Sequence, residues 1–342
     1  MAALQAGALS AIPLEKEQSM TDTGSQRASD AASCTKEPLA VRVGAELAGS
    51  FIVFFAIYSF TTFGTALFGI NMAFIALATG IAYAAVTLVF SKVSGGHLNP
   101  AITLAAILTG KTKVLDGILY IIAQVLGGIA AGALIVRILP TAETLTAKIW
   151  LTDAVNGFGN GSVSASTLSS VSASFDITLA VVVEIIASIV VIAAAVTTMD
   201  KETTAVSHAA AIGFAYGLGA AMTYPVTGAG MNPARSTGIA LFARNASLSQ
   251  NPLQQLWVFW ICPILAAAIV AMAMIGAQLL RDNVKAKQQV VDDTAAQQNV
   301  ADTDALALSG NDATQTAIES ANHGEQEASA VSEHDADAQI EQ

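Results

Sequence analysis

Hydropathy divides this chain into long apolar runs separated by polar breaks. Six runs, at about residues 43 to 65, 72 to 93, 115 to 139, 177 to 198, 205 to 224 and 253 to 280, each reach the roughly 20 residues of helix that cross a bilayer core of about 30 Å. Two further apolar segments, 101 to 109 and 234 to 243, have only about half that length and are predicted half-helices. The remaining stretches are polar. Residues 1 to 41 mix Ser, Thr, Glu, Lys and Gln with alanines, 140 to 174 are rich in Thr, Ser, Gly and Asn, and 282 to 342 are acidic. The pattern predicts an all-α membrane protein of six transmembrane helices and two half-helices.

One motif opens both half-helices. Ser94-Gly95-Gly96-His97-Leu98-Asn99-Pro100-Ala101 recurs in altered form as Thr227-Gly228-Ala229-Gly230-Met231-Asn232-Pro233-Ala234. Asn is a favoured N-cap, and Pro is tolerated in the first turn, where its missing N–H would have no partner anyway. Each Asn-Pro-Ala therefore reads as a helix start. The spans fall into two triplets, with an acid, Glu46 or Glu184, near the start of the first span and the motif after the second. Three crossings per triplet turn the second upside down relative to the first, an inverted repeat. The half-helices then enter from opposite faces and meet near the midplane. A helix N-terminus carries roughly half a positive charge, so two that converge repel a cation or hydronium and leave a neutral molecule little affected. The Asn99 and Asn232 amides can each offer a donor to a passing oxygen while capping their own helices.

Composition narrows the class. With 54% hydrophobic and 12% charged residues, the chain is no soluble domain. Its net charge of −11 resides in the segment after Arg281, where Lys285 and Lys287 face a large excess of Asp and Glu, so the acidity describes a tail and says nothing about a substrate. Lys92, Lys111, Lys113, Lys201, Arg281, Lys285 and Lys287 fall on one side of the predicted bundle, and Arg137, Lys148 and Arg244 near the other. The positive-inside rule places both termini in the cytoplasm, of either the plasma membrane or an internal one, and the 140 to 174 loop outside. Asn160-Gly161-Ser162 in that loop is a glycosylation acceptor if the chain enters a eukaryotic secretory pathway. Cys34 and Cys262 lie in the tail and the sixth span and imply no disulfide. No nucleophile–base pair, metal-ligand cluster or phosphate loop accompanies the motifs, which argues against an enzyme, a metal, a cofactor or a nucleic-acid partner.

These features are similar to those of aquaporins, in the major intrinsic protein family. The resemblance rests on the two motifs, the second continuing into Arg235-Ser236, and extends over about residues 42 to 281. It implies a right-handed bundle around a narrow pore, embedded in lipid and usually assembled as a homotetramer, which passes water and small neutral solutes. The stretch it covers is a channel domain (42–281), and outside it composition predicts a flexible cytoplasmic tail (1–41) and a disordered acidic cytoplasmic tail (282–342). Within the channel domain, repeat one covers 42–139, an extracellular loop 140–174, and repeat two 175–281. The resemblance also assigns Asn99, Pro100, Ala101, Asn232, Pro233 and Ala234 to a central constriction and Arg235 to an outer selectivity filter. Counted from the motifs, the other filter positions are Thr79, Ala220 and Ala229. Water-selective relatives often carry Phe and His at the first two, so the filter is expected to be wider and less polar than theirs, open to glycerol or urea. Ser236 stands where glycerol channels often have Asp, and the chain lacks their aromatic filter pair.

Several positions keep two readings. Glu46 and Glu184, ionisable groups within spans, serve either as structural braces for the loops beneath the half-helices or in proton coupling. His97 is a gating group or packs the half-helix entry. The frame itself also permits an ion-coupled small-solute carrier or a non-transporting junction protein, though the intact motifs and Arg235 favour a passive channel.

Overall fold

The structure, a computed structural model, describes residues 37–200 and 202–337. Most of the expected N-terminal tail, with Cys34, and Lys201 lie outside the described residues. Among those residues all regular structure is helical, and six helices are long and apolar enough to cross a membrane. The first, α1 (Leu39–Ser59), passes through a π-helical turn at Phe60–Gly64 into Thr65–Phe68. It therefore starts and ends a few residues outside the predicted run. Next come α2 (Met72–Ser94), the half-helix α3 (Pro100–Leu108) and α4 (Val114–Ile138). The same order repeats as α5 (Ile177–Thr197), α6 (Ala205–Thr227), the half-helix α7 (Pro233–Ala243) and α8, which begins at Val258.

Local chemistry sets the ends. Asn71, Asp176 and Thr204 cap α2, α5 and α6, each side chain accepting from a first-turn N–H. The helices α2 and α6 both end at a left-handed glycine, Gly95 (φ 98°) and Gly228 (φ 76°), which turns the chain into the buried Asn-Pro-Ala loops.

With no water to expel between helices in lipid, the bundle depends on close packing of small residues. Where α2 crosses α6, a methyl group added to Gly80 would lie 2.6 Å from the Gly213 carbonyl oxygen. On α4, one added to Gly128 would lie 2.5 Å from the carbonyl of Ala234 on α7. Leu77 and Phe214, 64% and 80% exposed, project from the outer faces of α2 and α6.

The last helix differs from the expectation. It continues from Val258 to Asp337 instead of giving way to irregular chain at 282, and residues from Ala273 onward form a separate unit. Alanine, glutamine and glutamate are good helix formers, and no proline follows Pro263 within α8.

Candidate functional site

The two Asn-Pro-Ala turns meet in the core. Asn99 and Asn232 are fully buried, and each caps its own half-helix: Asn99 Oδ1 accepts from Ala101 N at 2.8 Å and Asn232 Oδ1 from Ala234 N at 3.1 Å. Each amide also reaches into the opposite loop. Asn99 Nδ2 donates to the Met231 carbonyl at 3.0 Å, and Asn232 Nδ2 to that of Leu98 at 2.8 Å. The carbonyls point that way because Leu98 (φ 50°) and Met231 (φ 51°) adopt left-handed backbone, which a branched or long side chain rarely does. Pro100, Ala101, Pro233 and Ala234 form the buried first turns behind them.

Glu46 and Glu184 lie beneath these turns, both at 0% exposure. The Glu46 carboxylate accepts from Ser94 Oγ at 2.6 Å, His97 N at 2.9 Å, Leu98 N at 2.8 Å and Gln124 Nε2 at 2.7 Å. Glu184 accepts from Thr227 Oγ1 at 2.5 Å, Gly230 N at 3.0 Å and Met231 N at 2.7 Å. Each acid thus satisfies the backbone donors that a loop buried in a membrane leaves without water. His97 lies in the same layer, its Nδ1 3.1 Å from Thr103 Oγ1 and its ring edge-on to Tyr120.

Arg235 follows in the first turn of α7 and is 2% exposed. Its guanidinium donates to Asn156 Oδ1, which also accepts from Ser236 Oγ at 2.9 Å. Asn156 Nδ2 donates in turn to the carbonyls of Thr227 at 3.1 Å and Gly228 at 2.8 Å. Asn156 belongs to the long 140–174 loop, which contains short helical turns at Ala147–Leu151, Gly159–Gly161 and Ala165–Ser169. Sequence reasoning missed it, because one Asn in a loop of Ser, Gly and Asn carries no periodic signal. Asn160, from the same loop, is exposed. Thr79 on α2 and Ala220 on α6 are buried, as is Ala229, whose φ of 60° is the left-handed conformation that Gly96 takes at the matching place in the first motif.

Two aromatic residues were also missed. Tyr83 on α2 and Tyr216 on α6 stack face to face in the core, with ring centroids 3.3 Å apart and planes 3° from parallel. Asn232 Nδ2 donates to the Tyr83 hydroxyl at 3.0 Å and Asn99 Nδ2 to that of Tyr216 at 2.8 Å.

The Asn156 clamp has a measurable consequence. Asn156→Ala leaves a buried guanidinium and the Gly228 carbonyl short of a partner, while the Thr227 carbonyl keeps the Gly157 N–H, a cost of about 1–3 kcal/mol for each group left unsatisfied. The purified variant is expected to melt several degrees below the parent in detergent. An unchanged melting curve would show that the loop does not hold Arg235.

Comparison with known proteins places this geometry. A family model described as "Major intrinsic protein" matches residues 34–274. The chain is 29% identical over 230 residues to Aquaporin Z of Photorhabdus laumondii subsp. laumondii, covering 67% of this chain and 93% of that protein. It is 34% identical over 208 residues to Aquaporin Z of Brucella melitensis biotype 1, covering 61% and 84%. Among solved structures, the aquaglyceroporin from Plasmodium falciparum superposes with a TM-score of 0.55 at 15% identity, over 69% of this chain and 95% of that one, a likeness of fold.

Proposed function

Because this chain belongs to the major intrinsic protein family, we propose that it is a passive membrane channel for water and for small uncharged solutes such as glycerol or urea, and that it excludes protons and other ions. The observation that carries this reading is the meeting of the two half-helix N-termini in the core. Asn99 caps one and Asn232 the other, and each Asn bonds to the loop of its counterpart. Positive helix ends converge there, while the Glu46 and Glu184 carboxylates are engaged by backbone donors of the loops behind them. A cation at that point meets a barrier, while a neutral molecule meets polar groups that replace lost hydration. Arg235 adds a fixed positive charge in the first turn of α7. Thr79, Ala220 and Ala229 form the rest of the outer filter, and their small side chains leave space for solutes larger than water.

In this reading both termini face the cytoplasm and the 140–174 loop faces outward, since most of the short-loop lysines lie with the termini. The lipid-facing chain assembles as a homotetramer, with one pore in each subunit. The name Aquaporin Z, carried by two of its relatives, supports a channel of this kind.

The test is the shape of solute uptake by proteoliposomes. Flux through a channel rises linearly with the glycerol or urea gradient and is indifferent to a sodium or proton gradient. Saturable uptake that depends on such a gradient would identify a coupled carrier instead.

A further inference from the structure

The stacked tyrosines have no part in the function proposed above, yet they occupy its centre. A primary amide has two N–H donors. Asn99 spends one on the Met231 carbonyl and the other on the Tyr216 hydroxyl, and Asn232 spends one on the Leu98 carbonyl and the other on the Tyr83 hydroxyl. No amide hydrogen remains for a passing molecule. Residues that line a water-filled passage are exposed along it, but Asn99 and Asn232 are 0% exposed, and Tyr83 and Tyr216 are 2% and 1%. The two rings come from facing helices and lie flat against each other, with their hydroxyls on the two Asn amides at the Asn-Pro-Ala turns.

We infer that Tyr83 and Tyr216 form the central constriction that sets how fast, and how large, molecules pass through this pore. The inference rests on the channel reading and deepens it. For a water molecule to bond to Asn99 or Asn232, a tyrosine hydroxyl must leave its amide and the rings must part. The hydroxyls are then free to take the place of the amide contacts the permeant has lost. A solute wider than water must separate the rings further, so the pair discriminates by size as well as by hydrogen bonding. The outer filter position Thr79 lies one turn from Tyr83, and Ala220 one turn from Tyr216. Two size-selecting layers therefore follow one another along the same faces of α2 and α6.

The test uses the full-length protein in proteoliposomes, with osmotic water flow and glycerol uptake followed by light scattering. The variants are Tyr83→Ala with Tyr216→Ala, and Tyr83→Phe with Tyr216→Phe, normalised to the amount of protein that elutes as a single species. Removing both rings is expected to raise water permeability per protein at least about tenfold and glycerol permeability by a larger factor. The Phe pair keeps the rings but frees the amides, and should fall between the parent and the Ala pair. If the parent conducts and the well-folded Ala pair is no faster for either permeant, the tyrosines are not the constriction and the channel reading survives. If the Ala pair does not fold, equal conduction by the Phe pair and the parent overturns the inference alone. If neither the parent nor any folded variant exceeds protein-free vesicles, the channel reading falls and the inference with it.

Discussion

Glu46→Ala is expected to leave little folded protein. It removes the acceptor for four donors, the backbone N–H groups of His97 and Leu98, Ser94 Oγ and Gln124 Nε2. A buried donor without a partner costs about 1–3 kcal/mol. Several together consume much of the roughly 5–15 kcal/mol of net stability that a domain has. Glu184→Ala should be damaging too, since the Gly230 and Met231 N–H groups lose their acceptor, while the Thr227 hydroxyl keeps the Thr223 carbonyl. Glu→Gln at either position keeps one acceptor oxygen but sets an NH2 group against N–H donors, so it should recover only part of the loss. Yield of monodisperse protein and melting temperature in detergent measure this directly. A Glu46→Ala protein with the parent's yield and melting temperature, altered only in transport, would make the acid a coupling group and not a brace.

The second large effect concerns the outer filter. On the proposed filter assignment, Thr79→Phe with Ala220→His places two rings beside Arg235, where the parent has a hydroxyl and a methyl group. A neutral pore selects by diameter and by the donors and acceptors that replace hydration, so molecules larger than water are excluded first. Glycerol and urea permeability should fall far more than water permeability. Each single change should act in part, Ala220→His also through hydrogen bonding. The ratio should fall furthest in a protein that also lacks the Tyr83 and Tyr216 rings, because the outer filter is then the narrowest remaining point. Light-scattering traces for the two permeants on the same vesicles give the ratio. An unchanged ratio in a correctly folded double variant would place Thr79 and Ala220 outside the filter.

The fold was legible because a membrane leaves a sequence few options. A span needs a certain apolar length, and the six runs became six long helices at nearly the predicted places. Asn99-Pro100 and Asn232-Pro233 were legible as helix starts because N-capping is local chemistry. The site was legible only where the motif spelled it out. Tyr83 and Tyr216 read as ordinary aromatics in apolar helices, since hydropathy cannot tell a ring turned to the bundle axis from one turned to lipid. The available signal was spacing: Tyr83 lies four residues after Thr79, and Tyr216 four before Ala220, which puts each on the face already assigned to the pore. Asn156 had no such signal, because its role depends on a loop folding back across 71 to 80 residues of chain. The segment after Arg281, expected to be disordered, is helical to Asp337, because helix propensity is set residue by residue and alanine and glutamine are good helix formers.

The most direct measurement is of water and proton flow through one preparation of the parent protein. Proteoliposomes enclosing a pH-sensitive dye are first shrunk osmotically, and then given a pH step with potassium and valinomycin present to remove any opposing voltage. Water permeability above that of protein-free vesicles, with a pH relaxation no faster than theirs, is the expected result for a neutral-solute channel whose half-helices converge at Asn99 and Asn232. A proton flux that rises with protein content alongside water flow, or water flow no greater than in empty vesicles, would contradict it.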